Sequence, residues 1–398
     1  MTGISAVPPH LARDGFRLAP ELARLRDDQP VARLVLPNGA TAWLVTRHAH
    51  IREVLSDADR FGSDHGTLSD PNEGGVVVSG VTPVRHGDIT QYDPPDHTRL
   101  RRMVAAGFTA RRIADLRDNV GVIVSETLDT MERTGSPADL VQSFSLPIPS
   151  LIICQLLGVP YEDRAGFHER SVVRLDSTLS LATRAAAIQE SRRYMLRLVA
   201  RQRVRPGEGL LGSLVREHGD ELDDQELAGI GDVILFGGHE TTANMLALGT
   251  LLLLQNPEYI EQLKDPQRLK QVTDELLRYL SVVQTGVPRV CRHDTTIAGQ
   301  RILRGERILC SLPSGNHDSS YTAGPDAFDP TRNHSAHLAF GHGVHYCLGA
   351  PLARLEMNTA LPALFERFPR LRLDTAMDEL EFRTQSAIYG VAALPVAW

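Results

Sequence analysis

The longest run of apolar positions at helical spacing covers residues 224–255. Asp223 can cap this segment, because Glu226 follows three residues later as the partner in a capping box. Asn256 and Pro257 then end the segment. It is apolar on most faces, so we expect a buried central helix. About 32 residues at a rise of 1.5 Å give a helix of roughly 48 Å, which is long enough to cross a whole domain.

Helical periodicity also dominates much of the remaining chain. It predicts a short helix at 48–55, helices from about residue 96 to 200, and a further helix that ends at Leu280. Breaks in the second region are expected at Gly107, at 135–137 and at the two prolines of 146–149. The pattern therefore predicts a mainly α-helical protein.

Alternating apolar positions predict small sheets toward the two ends of the chain. Strands are expected at 31–45, with Asn38-Gly39 as the turn, and again at 287–312 and 371–398. A long loop is predicted at 60–91, which is rich in Gly, Asp, Ser and Pro, and an irregular stretch at 313–335. We find no repeat and no linker, so we expect one domain over residues 1–398.

Composition and charge are those of an ordinary soluble protein, with 42% hydrophobic residues, 23% charged residues and a net charge of −7. The charge does not suggest a nucleic-acid partner. No signal peptide is recognisable, and the longest apolar run, 245–254, is about half of the roughly 20 residues that span a bilayer. The four cysteines are too widely separated for a zinc site or a disulfide framework. We expect a cytoplasmic protein without a membrane segment.

The first chemical motif is centred on Cys347. Phe340, Gly343 and Gly349 stand at fixed offsets from it, in the pattern F-x-x-G-x-x-x-C-x-G. Gly341 and Gly343 allow the backbone to turn tightly and to approach a flat partner. The residues after Cys347 favour helix, so the sulfur should lie near a helix N-terminus, which favours a thiolate. The alternative interpretation is a buried structural cysteine beside a turn.

The second motif lies in the middle of the long predicted helix. Gly237 and Gly238 each cost roughly 1 kcal/mol relative to alanine there. The Thr241 hydroxyl can bond the carbonyl of Gly237, and the missing side chain leaves a groove for a small ligand. Close helix packing is the alternative use of these glycines. A zinc-protease motif is excluded, because Ala243 stands where H-E-x-x-H requires the second histidine.

These motifs resemble the haem-binding loop and the oxygen-binding signature, G-G-x-[Asp/Glu]-Thr, of the cytochrome P450 family. The resemblance implies the cytochrome P450 fold, mainly α with small β-sheets, in which the long central helix crosses over haem. It implies haem b with Cys347 as the axial ligand of the iron. It also implies that Glu240 and Thr241 are the acid and the alcohol that relay protons during oxygen activation.

Further family motifs fall between these two or flank them. Glu275 and Arg278 resemble the E-x-x-R pair and Arg332 its third member, a buried cluster that holds the cysteine loop, although a surface ion pair would look the same in sequence. His317 replaces an arginine that is frequent in the family, and we expect weaker hydrogen bonding there. His97, Arg101, Arg289 and His345 match ligands of the haem propionates. The residues assigned to haem binding are His97, Arg101, Gly237, Gly238, Arg289, Phe340, His345, Cys347 and Gly349.

The resemblance implies a bacterial-type monooxygenase. It would insert one oxygen atom of O₂ into a small-molecule organic substrate that is apolar and fairly large, by hydroxylation or epoxidation, in secondary-metabolite tailoring or xenobiotic oxidation. The chain ends soon after the cysteine loop, so we expect no fused reductase and a supply of electrons from ferredoxin and ferredoxin reductase. We also expect a monomer. Mostly aliphatic pocket residues are expected in the loop 61–91 and near 165–185, and at Val233, Phe236, Val283, Val287 and Ile388.

Three further expectations concern redox-partner docking, His239 and alternative function classes. Candidates for ferredoxin docking are Arg102, Arg111, Arg112 and Arg354. His239 is predicted to point away from the relay, toward solvent or substrate. Two other classes remain open: a peroxygenase driven by peroxide and a non-catalytic haem-fold recruitment module. Both should lack the acid–alcohol pair, so Glu240 and Thr241 argue against them.

Overall fold

The computed structural model describes residues 8–35, 41–63, 86–160, 163–332 and 336–398. The helices are α1 (Pro20–Asp28), α2 (His48–Ser56), α3 (Asp96–Ala105), α4 (Ala110–Asp115), α5 (Arg117–Thr134), α6 (Pro147–Leu157), α7 (Arg164–Leu175), α8 (Leu181–Val204), α9 (Leu210–His218), α10 (Asp224–Gln255), α11 (Pro266–Leu280), α12 (Leu312–Asn316) and α13 (Ala350–Arg367). The strands are β1 (Arg13–Asp14), β2 (Arg17–Leu18), β3 (Val31–Val35), β4 (Thr41–Val45), β5 (Phe61–Gly62), β6 (Ala138–Asp139), β7 (Val287–Cys291), β8 (Thr295–Ile297), β9 (Gln300–Ile302), β10 (Arg307–Cys310), β11 (Arg372–Leu373) and β12 (Pro395–Ala397). The prediction of a mainly helical protein with small sheets is confirmed.

Helix α10 is the centre of the core. The Glu226 N–H donates to Asp223 Oδ1 at 2.7 Å, and the Asp223 N–H donates to Glu226 Oε2 at 3.3 Å, so the predicted capping box is present. The helix ends at Gln255, before Pro257. Every residue from Thr242 to Leu253 is buried, because α10 packs against α6, α8 and α13. This packing offsets the weak helix propensity of its glycines.

The largest sheet in the described chain joins two distant parts of the sequence. Its strand order is β3-β4-β10-β7-β5, with β10 parallel to β4 and the other pairs antiparallel. The predicted hairpin of β3 and β4 is confirmed, while its turn, Asn38-Gly39, lies outside the described residues. A three-stranded sheet, β11-β12-β6, ties the C-terminus to the chain that follows α5. The predicted strands around the turns at residues 298–299 and 304–305 also form.

Two details of the sequence prediction were wrong. The prolines at 146–149 do not interrupt the helical region, because α6 begins at Pro147 directly after a π-helical turn, Val141–Ser145. Proline is tolerated in a first turn, where its missing N–H would have no partner in any case. The stretch from 313 is not fully irregular, since α12 opens it with Ser311 as its cap. Most of the predicted loop at 60–91 lies outside the described residues.

None of the helices in the described part of the chain has both the length and the apolar character that a membrane-spanning helix needs.

Candidate active site

The loop before α13 presents Cys347. The Cys347 N–H donates to the Phe340 carbonyl at 2.9 Å and so closes the loop. Gly341 and Gly343 have φ angles of +71° and +73°, which glycine adopts without strain. A side chain at Gly343 would also collide with the carbonyl of Leu55. Glycine is therefore required at this position for two independent reasons.

The Cys347 sulfur is surrounded by groups that favour a thiolate. Cys347 has solvent-exposed surface, but protein atoms also crowd around its sulfur. This partial burial raises the pKa of the thiol. The N–H groups of Gly349 and Ala350 and the charge on Arg101 act in the opposite direction. These donors lie at the start of α13, as the helix prediction required. They would stabilise a negative sulfur once a metal replaced its proton.

Basic side chains converge on the same region. The rings of His97 and His345 lie 4.1 Å apart between centroids, and His345 Nε2 lies 3.0 Å from Ser63 Oγ. Burial, followed by the charges on Arg289 and His97, lowers the pKa of His345 to about 3. Arg101 donates to the Tyr346 carbonyl at 2.5 Å, next to the cysteine. The four predicted propionate ligands are thus brought together.

These basic groups are short of negative partners. His97 is only 2% exposed, and neither of its ring nitrogens has a hydrogen-bond partner among the described residues. Arg289 is 4% exposed, and within the described part of the chain its guanidinium donates only to the Pro288 carbonyl, at 2.7 Å. Asp93 is the nearby acid, and it already binds the Ser63 N–H and Arg292. A cluster of this kind is suited to an anionic ligand with two carboxylates.

The middle of α10 carries the second motif. The Thr241 hydroxyl donates to the Gly237 carbonyl at 2.6 Å, as predicted. A Cβ at Gly237 would meet nothing within 4 Å, so open space, called the groove below, lies beside this residue. A Cβ at Gly238 would lie 2.6 Å from Cδ1 of Ile153. Gly238 therefore serves the packing of α10 on α6, and its assignment to the cofactor stays a prediction.

Glu240 lies in a polar cluster that sequence analysis did not predict. Its Oε2 is 3.4 Å from Nη1 of Arg383, and its Oε1 is 3.3 Å from Nδ1 of His168. Burial raises the pKa of the carboxyl, but His168, His239 and Arg383 together hold it below its usual value. His239 is 2% exposed and its Nε2 lies 3.5 Å from Oε1, so the prediction that it points away toward solvent was wrong.

Glu275 and Arg278 form a fully buried ion pair. Nε and Nη2 of Arg278 donate to the two oxygens of Glu275 at 2.7 and 2.8 Å. Arg278 also donates to the carbonyls of Asn316 and Pro325. Nε of Arg332 lies 3.7 Å from Glu275 Oε1. The three residues are together, and the alternative of a surface pair is excluded, since both members of the pair are 0% exposed.

The ion pair is linked to the cysteine loop through Asn316. The Asn316 carbonyl accepts from Arg278, and its side-chain oxygen accepts from the Leu338 N–H at 2.6 Å. The neighbouring His317 uses both ring nitrogens, with Tyr279 O at 3.0 Å and Asp326 Oδ1 at 2.8 Å. The weaker hydrogen bonding expected from this histidine is therefore not observed.

Comparison with known proteins identifies the family. A family model described as cytochrome P450 matches residues 208–389. Cytochrome P450 FAS1 of Rhodococcoides fascians is 41% identical over 400 residues, which covers 100% of both chains. The chain belongs to the cytochrome P450 family.

Solved cytochrome P450 structures share the whole fold. P450 StaH, from the biosynthesis of a glycopeptide antibiotic, has a TM-score of 0.86 and 42% identity, and the match covers 98% of this chain and 100% of that one. The mycinamicin VIII methyl hydroxylase MycCI of Micromonospora griseorubida, solved with mycinamicin VIII bound, has a TM-score of 0.90 and 34% identity, with 99% of each chain covered. This cytochrome P450 is accordingly a monooxygenase, an oxidoreductase whose family uses haem.

The residues present fit haem. The thiol of Cys347 faces backbone N–H groups, and the charge of Arg101 acts on both the thiol and His97. The unpartnered nitrogens of His97 and the buried Arg289 match the need of two propionates for cationic partners. The open space at Gly237 would leave room for a small ligand beside the Thr241 hydroxyl.

The predicted pocket residues of this cytochrome P450 come from three elements. Val233 and Phe236 lie on α10, half-buried against the core, and Arg174 stacks 4.0 Å over the ring of Phe236. Val283 pairs with Ile388 in an antiparallel bridge, and Val287 begins β7. Ile388 is buried, at 7% exposed.

The four arginines predicted for redox-partner docking are not equivalent. Arg102, Arg111 and Arg112 are exposed. Arg354 instead donates to Asp274 at 2.9 Å and lies 4.6 Å from the ring centroid of Phe340. Arg354 therefore supports the cysteine loop, and its part in redox-partner docking stays a prediction.

Proposed function

We propose that this cytochrome P450 oxidises a large, apolar secondary metabolite, by hydroxylation or epoxidation, as a monomer in which residues 1–398 form one catalytic domain. The observation that carries the proposal is the groove at Gly237 beside the Thr241 hydroxyl. A mid-helix opening with an adjacent hydroxyl supplies space for a small ligand and a proton donor at the same place.

Each site residue then has a role toward haem b. Haem would supply the oxygen chemistry, with the thiolate favouring cleavage of the O–O bond. Cys347 would hold the iron, and the N–H groups of Gly349 and Ala350 stabilise its charge. His97, Arg101, Arg289 and His345 would bind the propionates. Thr241 would hold a proton at the groove, and Glu240 would replenish it. Glu275, Arg278 and Arg332 fix the loop.

The substrate class rests on the pocket and on the relatives. Val233, Phe236, Val283 and Val287 offer apolar surface with little polar recognition. One relative carries mycinamicin VIII, and another acts in glycopeptide antibiotic biosynthesis. We therefore expect a bulky natural product as substrate.

Spectral titration of the holoenzyme tests this proposal. Macrolactones, terpenoids, peptides and small aromatic compounds would be added to the ferric protein. A bulky apolar ligand should convert the low-spin to the high-spin spectrum, while small polar compounds should leave it unchanged. A spectrum that responds only to small aromatic compounds would favour xenobiotic oxidation. No high-spin response to any class would contradict the proposed pocket.

Electrons are proposed to come from ferredoxin and ferredoxin reductase. Arg102, Arg111 and Arg112 are exposed cations that can steer an acidic partner. Turnover with ferredoxin should fall as ionic strength rises, and it should fall at low salt when Arg112 is changed to Glu. Equal turnover with peroxide alone would instead support the peroxygenase class.

A further inference from the structure

The polar cluster around Glu240 brings three metal-binding atoms together. They are Nδ1 of His168 on α7, Nε2 of His239 and Oε1 of Glu240, both on α10. The two nitrogens lie 3.3 Å apart, and their distances to the carboxylate oxygen are 3.3 and 3.5 Å. The three atoms thus form a nearly equilateral triangle in the interior of the protein.

The size of this triangle matches one face of a zinc coordination sphere. Zinc binds histidine nitrogen and carboxylate oxygen at about 2.0–2.2 Å with tetrahedral geometry, which puts neighbouring ligand atoms roughly 3.3–3.5 Å apart. The two ring nitrogens are within hydrogen-bond distance of each other, whereas Glu240 Oε1 is buried without a hydrogen-bond partner among the described residues. Its lone pair is available, although two ring nitrogens are close to it.

We propose that His168, His239 and Glu240 form a zinc site with an open fourth position. Two imidazoles and one carboxylate favour zinc over the harder magnesium and calcium ions, which prefer oxygen ligands. The His168 side chain is 32% exposed, so an ion can enter from that side and retain a water as fourth ligand. His239 and Glu240 are almost fully buried and would form the inner wall.

The surroundings prepare these side chains for a cation. Arg383 lies 3.4 Å from Glu240 Oε2 and occupies that oxygen, which leaves Oε1 for the ion. A partner on the second oxygen orients the ligating one, as such contacts do in metal sites.

An ion at this site has a consequence that rests on the proposed function. If Glu240 replenishes protons at the groove, zinc on Oε1 withdraws it from that task. Zinc should then slow turnover. The substrate concentration at the midpoint of the spectral titration should stay the same. The metal-binding measurement below does not depend on this role, so failure of the two ideas can be distinguished.

The binding test uses the untagged holoenzyme, dialysed against a chelator and titrated with Zn²⁺ in competition with a chromophoric chelator. We expect one zinc ion per chain, with affinity lowered more than about tenfold in His168→Ala. The control is His218→Ala, because His218 and Glu221 form a surface pair at 3.1 Å that has no third ligand among the described residues. That variant should bind as the wild type does.

Zinc-edge X-ray absorption of the loaded protein provides a second, structural readout. It should show imidazole and oxygen ligands at about 2.0–2.2 Å. His239→Ala is the second variant, and its carbon-monoxide spectrum reports whether it remains folded. Absence of stoichiometric zinc in the wild type would overturn the proposal in favour of a triad without metal. Unchanged affinity in folded His168→Ala and His239→Ala variants would overturn it as well.

Discussion

Arg278 holds both carboxylate oxygens of Glu275 in a bidentate ion pair from which solvent is completely excluded. The remaining donors of Arg278 bind backbone carbonyls of the segment that precedes the cysteine loop. A buried charge that loses its partner costs much more than an exposed one.

Glu275→Ala should destabilise the protein by roughly 3–5 kcal/mol, because it leaves Arg278 buried without its counter-charge. We expect apoprotein or no soluble protein, measured by expression, haem content and denaturant unfolding. The control is Glu261→Ala, which removes an exposed ion pair with Lys264 and should change the free energy of unfolding by less than about 1 kcal/mol. A stable, haem-replete Glu275→Ala variant would show that the cluster does not hold the loop.

Cys347→Ser should abolish the long-wavelength Soret band of the reduced carbon-monoxide complex, since a hydroxyl does not replace the thiolate. Absorption spectra of dithionite-reduced protein measure this. The matched control is Cys291→Ser, at a buried cysteine whose sulfur contacts the His293 carbonyl at 2.9 Å. It should retain the band. Persistence of the band in Cys347→Ser would refute the ligand assignment.

Thr241→Ala should uncouple oxygen consumption from product formation. The hydroxyl that bonds Gly237 is lost, so we expect continued NAD(P)H consumption with ferredoxin and substrate, more hydrogen peroxide, and product lowered about tenfold or more. Thr242→Ala is the control, because the next residue points about 100° around the helix. If the wild type and Thr241→Ala form the same amount of product per NAD(P)H consumed, a group other than the Thr241 hydroxyl must deliver the protons.

Glu240→Gln should slow the whole cycle rather than uncouple it. The acid that replenishes the relay is removed, and general acid catalysis of this kind contributes about 10²-fold or more. Steady-state turnover with saturating ferredoxin measures the loss, and peroxide release serves as the internal control. A rate equal to that of the wild type would exclude Glu240 from proton delivery.

Gly237→Ala and Gly238→Ala should differ although the residues are adjacent. A methyl group at Gly237 enters open space, so we expect stability unchanged or raised by up to about 1 kcal/mol and altered substrate binding. A methyl group at Gly238 meets Ile153 and should cost about 1–3 kcal/mol, with substrate binding retained. Denaturant unfolding and spectral titration separate the two effects. If the two variants change stability and substrate binding equally, the assignment of Gly237 to the groove and of Gly238 to helix packing would be contradicted.

Local features could be predicted because their causes lie within a few residues. The capping box of Asp223 and Glu226, the bond from Thr241 to Gly237 and the turns at Gly341 and Gly343 join neighbours in the chain. Backbone geometry alone then decides which atoms meet. The sequence by itself therefore determined the long helix, the cysteine loop and the order of most elements.

Only the tertiary structure decided which distant side chains contact the long helix and the cysteine loop. His168 reaches His239 across 71 residues, and Arg383 reaches Glu240 across 143, through the packing of separate elements on α10. The same packing separated the roles of Gly237 and Gly238 and committed Arg354 to Asp274. Helical periodicity tells which residues share a face, but the partner of that face depends on how the whole core closes.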